Sequence, residues 1–362
     1  MAGIFKFFQQ GVFPSYLGID IGTTSIKIVE VKQGKQNPAV VNYGFLESSG
    51  YLARANQVLQ TSTLKIFEKE VVELLKVILK QMKPQATDVF ASIPTFSAFT
   101  TVLDFPEMNA GDLQKAMAFQ VKQYVPLPIS EVAIDWLKVG EFKDEKGFAH
   151  QQILLIVVPQ EQIKKYQRIF KLAGLNLKAL EIESLSLARV FGGIDPTPTI
   201  IVDIGSRSTN MAFLEKGQLK FNGQSDFAGA SLTQALSSSL SINPLRAEEL
   251  KKERGILGMG PNYELSTIML PFLDAIINEV KKAHYKYTSQ FPEASAIERI
   301  MLAGGGANLL GIEKYFEREM GLKTVKATPF VKFEYDQQME PLVSELNPIM
   351  SVALGLTLRE FT

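Results

Sequence analysis

The feature that most constrains the fold is a strand–turn–strand pattern that occurs twice in the chain. Residues 20–22 read Asp-Ile-Gly between two apolar stretches, and the same tripeptide returns 183 positions later at residues 203–205. Gly34 and Gly217 close the two units in the same register. An apolar strand, a tight glycine turn and a second strand are typical of a β-hairpin. One such turn would indicate an ordinary hairpin, but its repetition predicts two related hairpins that act together.

The two turns favour binding of a phosphorylated ligand. Gly22 and Gly205 carry no Cβ, so backbone N–H groups can approach an anion closely. Asp20 and Asp203 end the apolar strands and would repel a bare phosphate unless a cation lay between. Two facing hairpins of this kind would therefore clamp a polyphosphate together with Mg²⁺. Hydroxyl side chains after each glycine add donors, as in anion-binding nests: Thr23, Thr24, Ser25, Ser206 and Ser208.

The composition excludes several classes of function. The 362 residues suffice for about two domains, and 38 Lys+Arg balance 38 Asp+Glu, so no charge excess points to nucleic acid. The absence of cysteine excludes disulfides and thiolate catalysis, and His150 and His284 are too few and too distant for a His-rich metal site. No apolar run is long enough to cross a bilayer, and no signal peptide is evident. We therefore expect an intracellular protein.

A third glycine motif follows a predicted strand near the C-terminus. Residues 300–310 read IMLAGGGANLL, a strand that leads into Gly304, Gly305 and Gly306 and is expected to open a helix there. By position this is a phosphate or nucleotide loop, although close packing of a helix on a sheet explains it equally. It matches neither G-x-G-x-x-G nor the Walker pattern, so neither a dinucleotide fold nor a P-loop is supported.

Apolar spacing predicts the helices, and these separate the glycine motifs along the chain. Residues 97–158 read as strand, helix, strand and strand, a small unit of their own. The predicted helices cover residues 64–82, 110–124, 160–172, 184–191, 229–240, 244–254, 265–289 and 348–358. Asn109 or Asp112 is able to cap the start of the second of these helices. The last two strands of the small unit are predicted over residues 132–139 and 152–158, and residues 329–344 are predicted to form a loop. The small residues Ala353 and Gly355 suit the last helix to close packing.

In this order, the two hairpins, the triple glycine and the last helix resemble the actin-like ATPase superfamily. Within it, QVKQYVPLPISEVAIDW (residues 120–136) and EIESLSLAR (residues 181–189) most resemble the PilM family of type IV pilus assembly proteins, which is related to FtsA. The resemblance implies an α/β, two-lobed actin-like fold with duplicated ribonuclease-H-like lobes. It also implies an inserted strand–helix–strand–strand (SHS2-like) subdomain and a nucleotide in the cleft.

Six consecutive segments follow from this resemblance. The role of the first, which is rich in phenylalanine, is left open. They are an N-terminal segment (1–13), the first lobe (14–96), the inserted subdomain (97–158), the first lobe continued (159–195), the second lobe (196–347) and a C-terminal connecting helix (348–362).

The resemblance also implies which residues bind ATP and Mg²⁺. Asp20 and Asp203 are expected to hold Mg²⁺ through water. Lys27 lies beside the first nest, where it could touch phosphate or simply face solvent. Glu183 lies where chaperone ATPases carry a water-orienting glutamate, and a buried or helix-capping role fits it equally. The other implied contacts are Gly22, Thr23, Thr24, Ser25, Gly205 and Ser206 to the phosphates, Gly304, Gly305 and Gly306 to the adenosine side, and Glu248 and Lys251 to ribose and adenine.

The implied function is that of an ATP-binding component of the pilus assembly platform. It would hold the cytoplasmic tail of a PilN-like inner-membrane protein, so its membrane association would be indirect; self-association is left open. Residues 225–230 read SDFAGA, without the basic residue and paired glycine usual there, so at most weak ATPase activity is expected. Apolar residues that could line a peptide groove, or form the subdomain core instead, are Phe96, Phe99, Val102, Leu103 and Trp136.

Two other functions remain open. An FtsA-like division or filament protein would use the same cleft for self-assembly and a C-terminal amphipathic helix for membrane binding. Here residues 356–362 read LTLREFT at the end of the predicted connecting helix, with no amphipathic tail, and this counts against the FtsA-like alternative. A small-molecule kinase would need a carboxylate aimed at a substrate hydroxyl, and only Glu183 could be considered for that role. Pelleting with ATP would test the first alternative, and ATP consumption on addition of sugars the second.

Overall fold

The computed structural model describes residues 14–48, 68–125, 127–193, 195–257 and 263–361. The predicted N-terminal segment (1–13) and the first residues of the helix predicted over 64–82 lie outside these ranges. The described strands are β1 (Tyr16–Ile21), β2 (Ser25–Lys32), β3 (Ala39–Glu47), β4 (Asp88–Ile93), β5 (Phe99–Pro106), β6 (Val132–Lys143), β7 (Ala149–Pro159), β8 (Asn176–Ile182), β9 (Thr199–Ile204), β10 (Thr209–Glu215), β11 (Gln218–Ser225), β12 (Arg299–Ala303) and β13 (Lys323–Lys326). The described α-helices are α1 (Glu68–Met82), α2 (Ala110–Tyr124), α3 (Gln160–Leu172), α4 (Glu183–Phe191), α5 (Gly229–Leu240), α6 (Pro244–Arg254), α7 (Tyr263–Gln290), α8 (Ile312–Met320), α9 (Glu340–Ile349) and α10 (Ser351–Thr357).

The duplication seen in the sequence is a duplication of sheets. One five-stranded sheet has the order β3-β2-β1-β4-β8 and the other the order β11-β10-β9-β12-β13. In both, the first three strands form an antiparallel meander, and the last two join it in parallel. Both predicted hairpins are therefore confirmed, and with them the two-lobed actin-like α/β fold.

The inserted segment contributes a third sheet. Its three strands have the order β5-β7-β6, with α2 between β5 and β6 in the chain, which confirms the predicted succession of elements. Met117 and Val121 of α2 pack on one face of this sheet, with Leu103 buried and Trp136 partly buried in the same cluster. For these last two residues the core interpretation is therefore the correct one. Strands β6 and β7 run further than predicted, because they stay paired as far as Lys143 and Ala149.

Several helix limits were predicted to the residue because local signals set them. α2 begins after Asn109, whose side chain accepts a hydrogen bond from the Asp112 N–H at 3.0 Å. α6 begins after Asn243, which caps it in the same way, and has Pro244 in its first turn. A capping side chain satisfies an N–H that the helix itself leaves without an acceptor. Pro in the first turn loses no helical hydrogen bond.

The predicted final helix over residues 348–358 is wrong as a single element. α9 begins at Glu340, inside a region predicted to be a loop, and α10 follows after a bend at Met350. The carbonyl of Pro348 accepts a hydrogen bond from the Gly304 N–H at 2.8 Å, so that bond replaces a helical one at the bend. No single helix in the described ranges is apolar and long enough to cross a membrane. The segments Gln337–Ile349 and Ser351–Glu360, bent by 92°, meet that criterion only as a pair.

Helix α10 is buried throughout and lies against both β1 and α4. A Cβ added at Gly355 would overlap the carbonyl oxygen of Ser186, and one added at Gly18 would overlap the carbonyl of Ala353. The prediction that small residues here serve close packing is therefore confirmed. Arg189 reinforces the contact, since it donates to the Gly355 carbonyl and pairs with Glu181 at 2.6 Å.

We expect the substitution Gly355→Ala to destabilise the protein by about 2 kcal/mol, because the added methyl group has no space and the helices must separate. The matched control is Gly111→Ala in α2, where an added Cβ meets nothing closer than 3.4 Å. That change should alter the free energy of unfolding by less than about 1 kcal/mol. Denaturant titrations of both variants measure the difference, and equal stability would show that α10 can shift without cost.

Candidate functional site

The two hairpin turns have the same internal geometry. The Gly22 N–H donates to the Ser25 carbonyl at 2.9 Å, and the Gly205 N–H donates to the Ser208 carbonyl at 3.0 Å. Both turns are half-buried, between strands whose residues are almost all buried. The duplicated sequence thus gives two turns of equal form at the ends of corresponding strands.

Asp20, at the end of β1, is 3% exposed, and both of its oxygens have partners. Oδ1 accepts a hydrogen bond from the Ser92 hydroxyl at 2.7 Å, and Oδ2 pairs with the ammonium of Lys27 at 2.8 Å. Lys27 lies directly opposite Asp20 in the β1–β2 register. A cation from the chain itself therefore lies next to the carboxylate for which the sequence predicted Mg²⁺.

Lys27 brings the two hairpins into one electrostatic site. Burial lowers the pKa of its ammonium, but Asp20 and, more weakly, Asp203 and Glu183 outweigh burial and raise it. Asp203, at the end of β9, is 9% exposed. Burial raises the pKa of Asp203 to about 6, with Lys27 opposing that rise and Asp20 adding to it. The predicted residues Asp20, Lys27, Glu183 and Asp203 are therefore close enough to influence one another.

The three glycines at residues 304–306 differ in their surroundings. Gly304 has φ 77°, and a Cβ there would overlap an Asp203 carboxylate oxygen; a Cβ at Gly306 would overlap Ile204. Gly305 is exposed, with nothing within 4 Å of an added Cβ. The motif opens a short 3-10 turn, Gly305–Asn308, and the next helix, α8, begins only at Ile312. The expectation that an α-helix begins directly at the glycines is therefore wrong. Gly304 and Gly306 thus serve packing on β9, and Gly305 borders open space.

Glu183 is the first residue of α4 and is buried. Its carboxylate accepts hydrogen bonds from the Thr95 N–H at 3.3 Å and the Thr95 hydroxyl at 3.4 Å, and also from the side-chain amide of Asn210. Burial raises the pKa of Glu183, and the charges of Asp20 and Asp203 raise it further. Glu183 is therefore buried at the start of a helix, as the alternative interpretation of this residue predicts. Through Thr95 and Asn210 it also joins the first lobe to the second.

Glu248 and Lys251 pair with each other at 2.6 Å beside the second turn. Lys251 also donates to the Gly229 carbonyl at 3.1 Å and to the Thr233 hydroxyl at 2.9 Å, which fastens α6 to the start of α5. Burial lowers the pKa of Lys251. Burial opposes ionisation of Glu248, but Lys251 holds the pKa of that carboxyl below its usual value. The start of α5 in turn contacts the second turn, because the Gly229 N–H donates to the Gly205 carbonyl at 3.1 Å.

Several polar partners in this site were missed in the sequence. Asn210 could have been found, since the 183-residue repeat that aligns Asp203 with Asp20 also aligns Asn210 with Lys27. In the structure both follow the turn and lie opposite the aspartate of their own hairpin. Ser92, Thr95 and Thr233 carry no comparable signal, because each meets its partner through contacts far apart in the chain.

Across the described ranges, no set of three or more histidine, aspartate or glutamate side chains is arranged to hold a metal ion by itself. Asp20 and Asp203 nevertheless fit a cation that phosphate and water also coordinate, because they are buried carboxylates at corresponding strand ends. The donor set thus suits a nucleotide-bound Mg²⁺ better than a site built from protein ligands alone.

Comparison with known proteins identifies the relatives of this fold. The family model described as type IV pilus assembly protein PilM matches residues 18–361. Among solved structures, the PilM–PilN type IV pilus biogenesis complex superposes with TM-score 0.80 at 20% identity, covering 96% of this chain and 98% of that chain. MreB5 of Spiroplasma citri bound to ADP superposes with TM-score 0.54 at 16% identity, covering 96% of both chains.

A relative in sequence is the cell division protein FtsA of Enterococcus hirae. It is 22% identical over 350 residues, which cover 87% of this chain and 78% of that protein. The match of the family model over nearly the whole chain agrees with the duplicated sheets and the inserted subdomain. The chain therefore belongs to the PilM family of type IV pilus assembly proteins.

Proposed function

We propose that this protein binds ATP·Mg²⁺ between its two hairpin turns and, in the nucleotide-bound form, holds the cytoplasmic tail of a PilN-like inner-membrane protein. The proposed nucleotide binding is supported by the two equivalent turns, whose aspartates, Asp20 and Asp203, both interact electrostatically with Lys27. Its role in the pilus platform is supported by membership of the PilM family.

The polyphosphate would lie between the turns at residues 22–25 and 205–206. Their half-buried N–H and hydroxyl groups are donors for phosphate oxygens, and the start of α5 adds a helix N-terminus beside the second turn. Lys27 would move from Asp20 towards phosphate, since a nearby polyphosphate offers it more negative charge than one carboxylate does. The buried ammonium thus balances Asp20 before the ligand enters and balances phosphate afterwards.

Mg²⁺ would be held by phosphate oxygens and by water that Asp20 and Asp203 orient. This assignment fits the hard-oxygen preference of the ion, which normally keeps several water ligands in nucleotide sites. When bound, the ion would neutralise phosphate charge that the two carboxylates would otherwise repel. The protein's part is to place one carboxylate at each side of the phosphates.

The adenosine would lie beside the residue 304–306 turn. Gly305 leaves open space there, while Glu248 and Lys251 stand near the start of α5. To contact ribose and adenine, the Glu248–Lys251 pair would have to exchange internal hydrogen bonds for bonds to the ligand. We infer that Glu248 and Lys251 form a polar side of the site and that, without a ligand, they hold α6 against α5.

Hydrolysis is expected to be slow. Glu183 is held by Thr95 and Asn210, and its raised pKa disfavours the carboxylate form that would orient or activate water. The residue 225–230 turn supplies no basic side chain towards the phosphates. The protein would thus act as a nucleotide-dependent binder with at most weak ATPase activity.

The partner is proposed on the likeness to the solved PilM–PilN complex, which extends over nearly the whole of both chains. A membrane-anchored partner would bring this protein to the inner membrane from the cytoplasmic side. Phe99 of the insert stacks on Tyr124 of α2. Because its side chain is partly exposed, it is available at the surface for contact with a peptide.

Isothermal titration with ATP·Mg²⁺ tests the nucleotide site. The wild-type protein should bind, and Asp20→Asn and Asp203→Asn should each weaken binding at least tenfold, because each removes a carboxylate that orients the Mg²⁺ hydration shell. Asp104→Asn, at an exposed position of β5, should bind as the wild type does. Absence of binding by a wild-type protein with a normal circular dichroism spectrum would refute the nucleotide proposal.

Binding should also depend on pH. Asp203 has a pKa near 6, so below that pH a proton must leave it before it can help hold Mg²⁺. We expect affinity for ATP·Mg²⁺ to fall between pH 7.5 and 5.5, by at most about tenfold per pH unit below 6. ATP itself also gains a proton in this range, so Asp203→Asn is titrated in parallel. The fall in the wild type should exceed that in the variant, and equal falls would contradict the role of Asp203.

The substitution Glu183→Gln should leave ATP binding in place and change how stability depends on pH. Because the folded-state pKa of Glu183 is raised, its contribution to stability is complete below pH 4.5 and is lost as pH rises through about 8. The neutral glutamine loses nothing, so the variant's unfolding temperature should exceed that of the wild type increasingly from pH 5 to pH 9. Exposed Glu131→Gln serves as control in the same thermal scans, and parallel curves would disprove the buried-charge account.

A further inference from the structure

An ion pair joins the two lobes at the surface, beside the hairpin turns. The Glu47 carboxylate at the end of β3 contacts the Lys252 ammonium of α6 at 2.9 Å, although the two residues lie 205 positions apart in the chain. β3 belongs to the first five-stranded sheet, whereas α6 packs on α5 in the second lobe. We call Glu47 and Lys252 the rim pair. Neither is among the residues proposed above to bind ATP or Mg²⁺.

Glu47 is fixed to the first turn by the backbone. In the β2–β3 register it lies opposite Ser25, the last residue of that turn. The next residue, Ser48, donates its backbone N–H to the Thr24 carbonyl at 2.8 Å. A movement of the first turn must therefore carry Glu47 with it.

Lys252 is fixed to the second turn through α6 and α5. Its neighbour Lys251 donates to the Gly229 carbonyl at 3.1 Å. Ala230, the next residue of α5, donates its N–H to the Ser206 carbonyl of the second turn at 2.7 Å. Each lobe thus holds one member of the rim pair next to the turn that is proposed to bind phosphate.

These contacts complete a ring around the space between the turns. On the inner side, Lys27 is 15% exposed, pairs with Asp20 and attracts Asp203 of the other lobe. On the outer side, the side chains of Glu47 and Lys252 are 54% and 55% exposed. A ligand that reaches the turns must therefore come from the outer side, where the rim pair lies.

We propose that the rim pair closes the entrance to the nucleotide site and sets the rates at which ATP·Mg²⁺ enters and leaves. The inference rests on the proposed function, because it concerns exchange at the site between the turns. When the ion pair breaks, the lobes separate at the surface, while the inner contacts of Lys27 and Glu183 keep them joined. The rim pair therefore acts on both rates and leaves the affinity almost unchanged.

The exposure of the rim pair suits a contact that opens repeatedly. An ion pair in contact with water contributes little free energy, since solvent and salt screen the charges and both side chains lose freedom. A buried pair such as Lys27 with Asp20 would not serve, because its separation leaves two charges without compensation. Loss of the rim pair should therefore change the exchange rates by about two- to fivefold.

Stopped-flow fluorescence with the ribose-labelled analogue mant-ATP and Mg²⁺ measures both rates. Glu47→Gln and Lys252→Gln should each raise the association and the dissociation rate by about two- to fivefold, with a change of less than about twofold in the dissociation constant. The charge swap Glu47→Lys with Lys252→Glu should restore the wild-type rates. Arg246→Gln is the matched control, because Arg246 is similarly exposed on the same helix but pairs with Glu249 at 2.9 Å within the second lobe.

The signs of these changes distinguish an entrance from simple attraction of the ligand. If the two charges acted only on the incoming polyphosphate, Glu47→Gln would speed association and Lys252→Gln would slow it. Opposite changes in the association rate would therefore overturn the inference, and so would a charge swap that fails to restore the rates.

A covalent bridge tests the same entrance directly. The chain has no cysteine, so Glu47→Cys with Lys252→Cys can be joined selectively by a short bismaleimide. Protein bridged in the presence of ATP·Mg²⁺ should release nucleotide about tenfold more slowly, or slower still, than the unbridged double variant. The two single-cysteine variants, treated alike, should release it as the unbridged protein does. Release that the bridge leaves unchanged would show that nucleotide leaves by another route.

The outcomes also separate this inference from the function on which it rests. If the wild type binds ATP·Mg²⁺ by titration calorimetry and the rim-pair variants exchange it at the wild-type rates, the entrance is overturned and nucleotide binding stands. If the wild type binds no ATP·Mg²⁺, the proposed nucleotide site fails, and the entrance fails with it.

Discussion

The structure depends on one buried charge arrangement, the Lys27 ammonium with Asp20 beside it and Asp203 and Glu183 within its field. Charges so far from water are tolerated only when they are paired. The pairing requires β1, β2, β9 and the start of α4 to meet at one place. Each lobe thus presents its turn towards the other, because Lys27 of the first lobe attracts Asp203 of the second lobe as well as its own partner Asp20.

The two lobes have the same backbone geometry at their hairpin turns but different side-chain charges beside them. At the position after the turn, the first copy has Lys27, which neutralises Asp20, and the second has Asn210, which instead donates to Glu183. Burial raises the pKa of the second aspartate, and Lys27 offsets this only in part, whereas the first aspartate is hydrogen-bonded to that ammonium directly. A symmetric pair of turns with asymmetric charge suits a ligand that is itself asymmetric, as a nucleoside triphosphate is along its length.

The sequence was sufficient wherever a local signal decides the structure. Repeated glycines and apolar alternation predicted both hairpins, and cap residues such as Asn109 predicted helix limits to the residue. It was insufficient where a partner distant in the chain decides. The Gly304 N–H donates a hydrogen bond to the Pro348 carbonyl, which helps to divide the last helix. Glu183 contacts Thr95 and Asn210 through tertiary contacts alone. The roles of the site residues likewise follow from resemblance and geometry together, and neither alone specifies them.

The same tertiary contacts explain how the two lobes are joined. Glu183 accepts hydrogen bonds from Thr95, which lies in the short 3-10 turn before β5, and from Asn210 of β10, which lies opposite Gln224 of β11. A single carboxylate at the start of α4 therefore connects the segment that leads into the inserted subdomain with the antiparallel strands of the second lobe. A change in the angle between the lobes would strain these hydrogen bonds first, because they are made by one buried side chain to both sides.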